Sequence, residues 1–338
     1  MTTPEQSFRA FRIHSSNDGR DVAAGHSAGV ENILLTDLSE GEVVIKTAYS
    51  SVNYKDALAG TGSGQILRRF PLVGGIDVAG HVVASTEPSV REGDAVLATG
   101  SGLSETRDGG YAEYARLPAR WTMPLPRGLD LREAMILGTA GFTAALSLYR
   151  MLANGQTPEM GPIVVTGATG GVGMLAIDIL TQAGFEAHAI TGKPQHFDFL
   201  IGLGARQCIS RHGIHWGQRP LESSKWAGAI DNVGGEQLAA LTRVIHAYGS
   251  IACCGLADNP ELVTTVMPLI IRGVSLLGIA SAGTALPIRR AIWEHLASDW
   301  KPAHLERIAT REIPIDQLPG VFASMLAGES FGRTLVRF

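Results

Sequence analysis

Ile163-Val-Val-Thr-Gly-Ala-Thr-Gly-Gly-Val-Gly-Met-Leu-Ala-Ile-Asp-Ile-Leu180 decides how this chain is read. Residues 163–165 predict a buried strand, the glycines a tight turn, and the apolar run to about Gly184 a helix. Gly167, Gly170, Gly171 and Gly173 let the backbone turn sharply and approach a ligand with no Cβ in the way. The helix then aims its N-terminal amides and the positive end of its dipole over the turn, a place that suits a pyrophosphate. A plain strand–turn–helix would carry the same letters. The strand before the glycines and the helix after them are the context a dinucleotide fingerprint requires.

The next residues bear on which dinucleotide. The second strand, Glu186-Ala-His-Ala-Ile190, ends where an NAD-binding protein usually places Asp or Glu on the ribose 2′-hydroxyl, roughly twenty residues past the first glycine. Thr191-Gly192-Lys193 stands there instead. A carboxylate would repel a 2′-phosphate, whereas a hydroxyl, a glycine and a cation receive one. Arg211, beyond the strand-like 207–210, offers a second positive charge. The alternative is a solvated turn with an ordinary surface lysine; the charge pattern favours NADPH over NADH.

At 338 residues the chain is long enough for two domains with cores of their own. The 45% hydrophobic and 18% charged content is ordinary for a soluble enzyme, and 41 glycines exceed the usual share of about 7%, as many short strands and tight turns require. A net charge of −4 and a pI near 6.2 favour neither nucleic acid nor an anionic membrane as partner. Met1-Thr-Thr-Pro-Glu-Gln-Ser7 has no basic start and no apolar run, so no signal peptide is expected. The apolar stretch 268–280 is short and interrupted by Arg272, Gly273 and Gly278, so it cannot span a bilayer. Cys208, Cys253 and Cys254 are too few for a disulfide framework or a four-cysteine zinc lobe, and all three sit in apolar, strand-like runs. A reducing cytoplasm is the expected setting.

Residues 1 to about 135 read mainly as strands and turns, for example Glu42-Val-Val-Ile-Lys-Thr-Ala48 and Ile76-Asp-Val-Ala-Gly-His-Val-Val-Ala84. A helix follows over 131–150, interrupted around 138–141. From Pro162 strands (163–165, 187–190, 207–209, 228–231, 250–254, 275–279) alternate with helices (172–183, 195–203, 236–246, 267–271). That alternation predicts an α/β fold, a doubly wound parallel sheet covered on both faces. Two helices near 287–297 and 318–327 precede a last strand, Gly332-Arg-Thr-Leu-Val-Arg-Phe338. That strand needs another sheet to join, and the N-terminal β region offers one. The parallel-sheet domain therefore reads as an insertion in a discontinuous second domain.

Ser51-Val-Asn-Tyr-Lys-Asp56 sets an amide, a phenol, an ammonium and a carboxylate in consecutive positions at the end of a β element. Such a loop could face an interdomain cleft, where ligands tend to bind, or be a polar turn and helix cap; spacing leaves both readings open. Arg68 and Arg69 fit either a solvated face or the phosphates of a large anionic substrate, and Asp77 between Ile76 and Val78 reads as half-buried and structural. His212-Gly-Ile-His215 lacks nearby Cys or further His, no HExxH or CxxC occurs, and no Gly-x-Ser-x-Gly marks a serine hydrolase.

Together these stretches resemble the medium-chain dehydrogenase/reductase family, in its zinc-free, quinone-oxidoreductase-like acrylyl-CoA reductase branch. The residues that carry the resemblance are Ser51 to Asp56, Arg68-Arg-Phe-Pro71, Gly75-Ile-Asp-Val-Ala-Gly80, Gly138-Thr-Ala-Gly-Phe-Thr-Ala144, Val164 to Gly173, Trp226-Ala-Gly-Ala-Ile-Asp231, Thr264-Thr-Val-Met-Pro268 and Gly332-Arg-Thr-Leu-Val336. The resemblance implies a Rossmann NADPH-binding domain at 139–281, inserted in a mainly β, GroES-like catalytic domain made of 1–138 and 282–338. Ile76 and Asp77 stand where zinc-dependent relatives have His-Glu, and the zinc-ligating cysteine is missing near Val52, so metal-assisted alcohol dehydrogenation is disfavoured. It further implies that Tyr54 lies by the nicotinamide and that Thr169, Gly170, Gly171 and Val172 hold the pyrophosphate. Thr191, Gly192 and Lys193 take the 2′-phosphate, and Arg211, Leu256, Ile270 and Ser281 line the cofactor. Lys193 replaces an Arg common in relatives and lacks its bidentate fork. Gly74 replaces a proline, and Ala327-Gly-Glu-Ser330 departs from an amide-rich run, which leaves a cofactor contact there unsupported.

The resemblance implies hydride transfer to the β-carbon of an α,β-unsaturated acyl-CoA, acrylyl-CoA becoming propionyl-CoA. Tyr54 would position the substrate or supply a proton, and Asn53 would be a weaker oxygen donor. The rivals are a quinone or small-enone reductase on the same fold, and a catalytically idle NADPH-binding sensor. Relatives commonly form homodimers through the edge of the nucleotide-binding sheet, here 275–279.

Overall fold

The computed structural model describes residues 7–15 and 26–338. Residues 1–6, part of the N-terminal run read for a signal peptide, lie outside them. The chain forms two compact units, one of residues up to 139 with 305–338, the other of residues 140–304.

The first unit is mainly β. Its larger sheet runs in the order Arg311–Ile313, Thr334–Arg337, Val43–Ser51, Asp77–Ser85, Ala95–Thr99, Met123–Pro124, with Tyr114–Leu117 also paired to Val43–Ser51. The last strand of the chain pairs antiparallel with Val43–Ser51, setting Leu335 opposite Ser51 and Val336 opposite Ser50. The expected return of the C-terminus to the N-terminal β region is therefore a strand pairing. Two strands that the sequence reading did not single out, Phe8–Ser15 and His26–Ile33, form a smaller sheet with Leu72–Val73. Residues 53–56 do not form an open loop: Asn53 caps the helix Tyr54–Thr61, and Gly62 ends it at φ 72°. Gly60 lets that helix lie against Leu318–Leu326, since a Cβ there would fall 2.4 Å from the Phe322 ring. Phe322 in turn meets Phe11 edge-on at 5.8 Å. Removal of a buried aromatic ring such as this costs about 3–5 kcal/mol.

The second unit is a parallel six-stranded sheet, ordered Ala205–Ser210, Ala187–Thr191, Ile163–Thr166, Trp226–Asp231, Ile245–Cys253, Ser275–Gly278. In chain order that is third, second, first, fourth, fifth, sixth, the doubly wound arrangement, and the strand order reverses beside Ile163–Thr166. All four residues of that strand are buried, as a strand covered on both faces requires.

Residues 282–304, expected with the first domain, fall within the second unit. Trp293 of the helix Leu286–Leu296 stacks on Phe142 at 6.4 Å. The carboxylate of Asp178, fully buried in Gly171–Gln182, accepts the amides of Ala303 (3.1 Å) and His304 (2.9 Å). Neither contact has a local signature; both come from tertiary packing. The helix Leu131–Ala153 has the length and hydropathy of a membrane span. Most of its apolar window is buried in protein, however, and Gly138 (φ 47°, ψ −151°) interrupts it where an interruption was expected.

Candidate active site

In the second unit the site begins where Ile163–Thr166 ends. Gly167 turns at φ 58°, Gly170 donates its N–H to the Gly167 carbonyl (3.0 Å), and the helix Gly171–Gln182 starts at once. A Cβ on Gly173 would stand 2.5 Å from the Gly167 oxygen and 2.7 Å from the Ala168 Cα. The helix can start this close to the turn only with glycine at 173. Below the turn Thr166 Oγ1 donates to Asp231 Oδ1 (2.7 Å) and accepts from the Asn232 N–H (3.0 Å), while Asp231 Oδ2 accepts from the Gly234 N–H (2.8 Å). These bonds lock the carboxyl ends of the two strands at the switch point, where open α/β sheets bind ligands. Burial raises the Asp231 carboxyl above its ordinary value, against the pull of Thr166 and the backbone amides.

Five of the expected cofactor residues converge. Thr169 and Thr191, both buried, bring their hydroxyls to 3.0 Å, and Thr191 Oγ1 accepts from the Lys193 N–H (3.1 Å). A Cβ on Gly192 would stand 2.7 Å from Arg211 Nε, so the guanidinium lies along the Thr191-Gly192-Lys193 turn. One guanidinium therefore lies at a glycine that Lys193 follows in the chain, with no carboxylate among the turn's residues, and the glycine cradle and buried hydroxyls fit a dinucleotide phosphate. Gly170, Gly171 and Val172 form the helix start beside them.

Three more expected residues of this unit have other neighbours or lie exposed. Leu256 lies beyond Ile245–Cys253, with its Cα 3.4 Å from where a Cβ on Gly234 would be. Ser281 has its carbonyl held by Arg289 Nη2 at 2.7 Å. Ile270 is 75% exposed on the short helix Met267–Arg272. A cavity of about 880 Å³ opens beside Arg211, lined also by His212, Trp216, Arg243, Asp258 and Glu261. Neither the 169–172 turn nor Thr191–Lys193 lines it, so it neighbours the glycine cradle without containing it.

In the first unit the motif 51–56 rests on a buried charge cluster. Asp77 is fully buried, not half-buried as its neighbours in the sequence suggest. It accepts from Ser51 Oγ (2.6 Å), Asn53 Nδ2 (2.8 Å) and Thr139 Oγ1 (2.6 Å). Asp56 accepts the Asn53 N–H (2.9 Å), Asn53 Nδ2 (3.1 Å) and the Ile76 N–H (2.9 Å). Arg333 donates to Ile136 O (2.8 Å), Val52 O (2.8 Å), Asn53 Oδ1 (3.2 Å) and Ser51 Oγ (2.7 Å). Burial first, then the charge of Asp77, push the Asp56 carboxyl up to about 7, against the three N–H groups that favour its anion. Burial lowers the Arg333 pKa while Asp77, Tyr111 and Asp56 oppose it.

Asn53, expected as an oxygen donor to substrate, is corrected by this geometry: its amide hydrogens go to the two carboxyls and its oxygen to Arg333. It is a cap and a clamp. Tyr54, next along, is 38% exposed at the head of its helix and carries the accessible phenol of the motif. Asp56 is the helix-capping residue that one reading of the motif allowed, whereas Arg333 was not assigned a role from the sequence; its signal was an arginine beside an apolar terminal strand. Arg68 and Arg69 are exposed, and Arg69 lies 3.7 Å from Asp108. Gly74 donates its N–H to Phe11 O (3.0 Å), a bond that a proline there could not make. Among the described residues no three His, Cys, Asp or Glu side chains gather as metal ligands.

Comparison with known proteins agrees with this architecture. Residues 39–127 match the alcohol dehydrogenase GroES-like domain, and residues 171–298 match the zinc-binding dehydrogenase family. YhfP of Bacillus subtilis, named for quinone oxidoreductase activity, is 47% identical over 98% of this chain and 98% of its own. The chain belongs to the medium-chain dehydrogenase/reductase family. It is an oxidoreductase of that family, in the branch of YhfP and of acrylyl-CoA reductase AcuI from Ruegeria pomeroyi. AcuI is 44% identical over 94% of this chain and 96% of its own. Two medium-chain dehydrogenase/reductase structures superpose over nearly the full length. YhfP with NAD bound has a TM-score of 0.93 at 44% identity, covering 98% of this chain and 99% of its own. Escherichia coli YhdH with bound NADPH has a TM-score of 0.92 at 40% identity, covering 97% and 99%.

The cradle yields a direct test. Gly173→Ala forces the helix start away from the Gly167 carbonyl, so the expected loss of stability is about 1–3 kcal/mol. Dinucleotide affinity should fall with it. Calorimetric unfolding and cofactor titration check both, and an unchanged protein would mean the contact is not tight.

Proposed function

We propose that this protein uses NADPH to reduce the carbon–carbon double bond of an α,β-unsaturated acyl-CoA, converting acrylyl-CoA to propionyl-CoA. The observation that carries the substrate is the similarity to AcuI over nearly the whole chain. A quinone or small enone is the second reading, favoured by the similarity to YhfP. For the cofactor, the support is the approach of Arg211 to Gly192, next in the chain to Lys193, together with the NADPH in YhdH. The NAD in YhfP points the other way. We weigh the charge of the turn more heavily, because a 2′-phosphate needs cations and a 2′-hydroxyl does not.

In this reading residues 140–304 are the cofactor-binding domain. The 169–172 turn holds the pyrophosphate and Thr191, Gly192, Lys193 and Arg211 the 2′-phosphate. When bound, the cofactor supplies the hydride that reaches the β-carbon. Negative charge then develops on the thioester oxygen and must meet preorganised donors, and a proton reaches the α-carbon. Tyr54 positions the substrate or provides that proton; Asn53 acts on it through the turn. Burial and the charge of Asp231 raise the half-buried Cys254 thiol, which disfavours it as a nucleophile.

The chain is further proposed to act as a homodimer in a reducing cytoplasm. Support comes from the sheet-edge strand Ser275–Gly278 and from exposed apolar side chains beside it in sequence, Val263, Val266, Ile270 and Ile271. Sedimentation should give twice the chain mass, and a Val266→Glu/Ile271→Glu variant half of that. A monomeric wild type refutes the dimer.

Turnover of acrylyl-CoA with NADPH, far above that of a simple quinone or acrylate ester, is the expected result. Tyr54→Phe should lower kcat roughly 10²-fold. Quinone turnover alone would replace the substrate, and cofactor binding without turnover of either would leave an idle sensor. Lys193→Ala with Arg211→Ala should raise KM for NADPH at least about tenfold, since each charged contact is worth about 1.5–3 kcal/mol, and leave NADH nearly unaffected. Equal loss for both dinucleotides would move the 2′-phosphate elsewhere.

A further inference from the structure

Asp56 sits two residues after Tyr54, and what it does follows from its bonds. One oxygen takes the Asn53 N–H and side-chain amide, closing the first turn of Tyr54–Thr61. The other takes the Ile76 N–H and ties that turn to the start of Asp77–Ser85. Asn53 is held from three sides, by Asp56 and Asp77 on its amide nitrogen and Arg333 on its oxygen. Tyr54 leaves this clamp as its exposed neighbour.

The clamp is not charge-balanced. Asp56, Asp77 and Arg333 are 2%, 0% and 2% exposed, so two carboxyls face one guanidinium with almost no water. Tyr111, 1% exposed, donates to Ser51 O (3.1 Å) and also meets the Asp56 carboxyl. Asp77, Arg333 and Tyr111 are the titratable and charged groups that face Asp56. If both acids ionise, one negative charge is left buried without a partner, a costly arrangement relieved by admitting water.

We propose that Asp56 is a positioning residue for Tyr54, and that its turn is held closed when Asp56 and Asp77 together carry a single negative charge opposite Arg333. The proposal rests on the reading of Tyr54 as a residue of the reaction; the closing of the turn does not. The sign follows from the carboxyl lying at about 7 in the fold against 3.8 for the free group. Between those values the folded chain binds more protons than the unfolded one, so stability falls as pH rises and the penalty is complete above about pH 7.

Hydrogen exchange of the intact protein, read on peptides covering residues 53–61 from about pH 6 to about pH 8.5, tests the turn without any substrate. After correction for the intrinsic rise, protection in wild type should drop about fivefold or more through the neutral range, and stay level in Asp56→Asn. Level protection in wild type, or the same drop in both proteins, overturns the proposal. The alkaline limb of kcat/KM should follow the same midpoint and vanish in the variant, with partial return in Asp56→Glu. A limb that persists in Asp56→Asn overturns the link to Tyr54. Should Asp56→Asn fail to fold, infrared spectra of wild type decide. A protonated-carboxyl band at about pH 6 that is lost by about pH 8.5 is expected, and its absence overturns the charge state. A wild type that reduces no substrate yet shows the exchange transition would refute the reductase reading and leave the closing of the turn standing.

Discussion

A guanidinium buried to 2% exposure governs the first unit. Arg333 lies just ahead of the last strand, yet donates to carbonyls at Ile136 and Val52 and to side chains at Ser51 and Asn53. One side chain thereby joins the chain's end, its first major strand and the residues before Gly138. The discontinuous domain closes around that cation, whose bonds go to backbone carbonyls and to the Ser51 and Asn53 side chains. The same bonds shape the Asn53–Asp56 turn, so the interaction that holds the fold also fixes the start of the helix that begins at Tyr54.

The second unit solves a different problem, bringing backbone close to a charged ligand. Glycine at 167 and 173 permits the approach, and the Thr166–Asp231–Gly234 bonds keep the two strand ends from spreading. Glycine costs conformational entropy on folding. The fully buried strands on either side of the switch point offset that cost, so the flexible residue types follow fully buried strands. Arg211 reaches Gly192, in a turn after a different strand, only because the second and third strands are neighbours.

Much of this was legible in residue order. The strand–glycine–helix run, the alternation after Pro162 and the lone terminal strand predicted a doubly wound sheet and a discontinuous partner domain, and both are present. Local pattern fell short where long-range bonds decide. Asn53 read equally as a ligand donor or a cap, because four polar residues in a row look alike until their partners are known. Residues 282–304 read as part of the first domain, because nothing local announces that Asp178, in an apolar helix, waits for the amides of 303 and 304.

By itself, then, the sequence determined what depends on short-range chemistry: periodicity for the strands and helices, glycine for the turn, and the absence of a carboxylate after Ile190, on which the proposed preference among dinucleotides rests. Tertiary structure alone decided which charges share a buried space. Asp56, Asp77 and Arg333 are separated by 21 and 256 positions in the chain, and no local pattern couples them. Water is excluded only once the strands have closed over them, and only then does a surplus carboxylate become costly enough to matter.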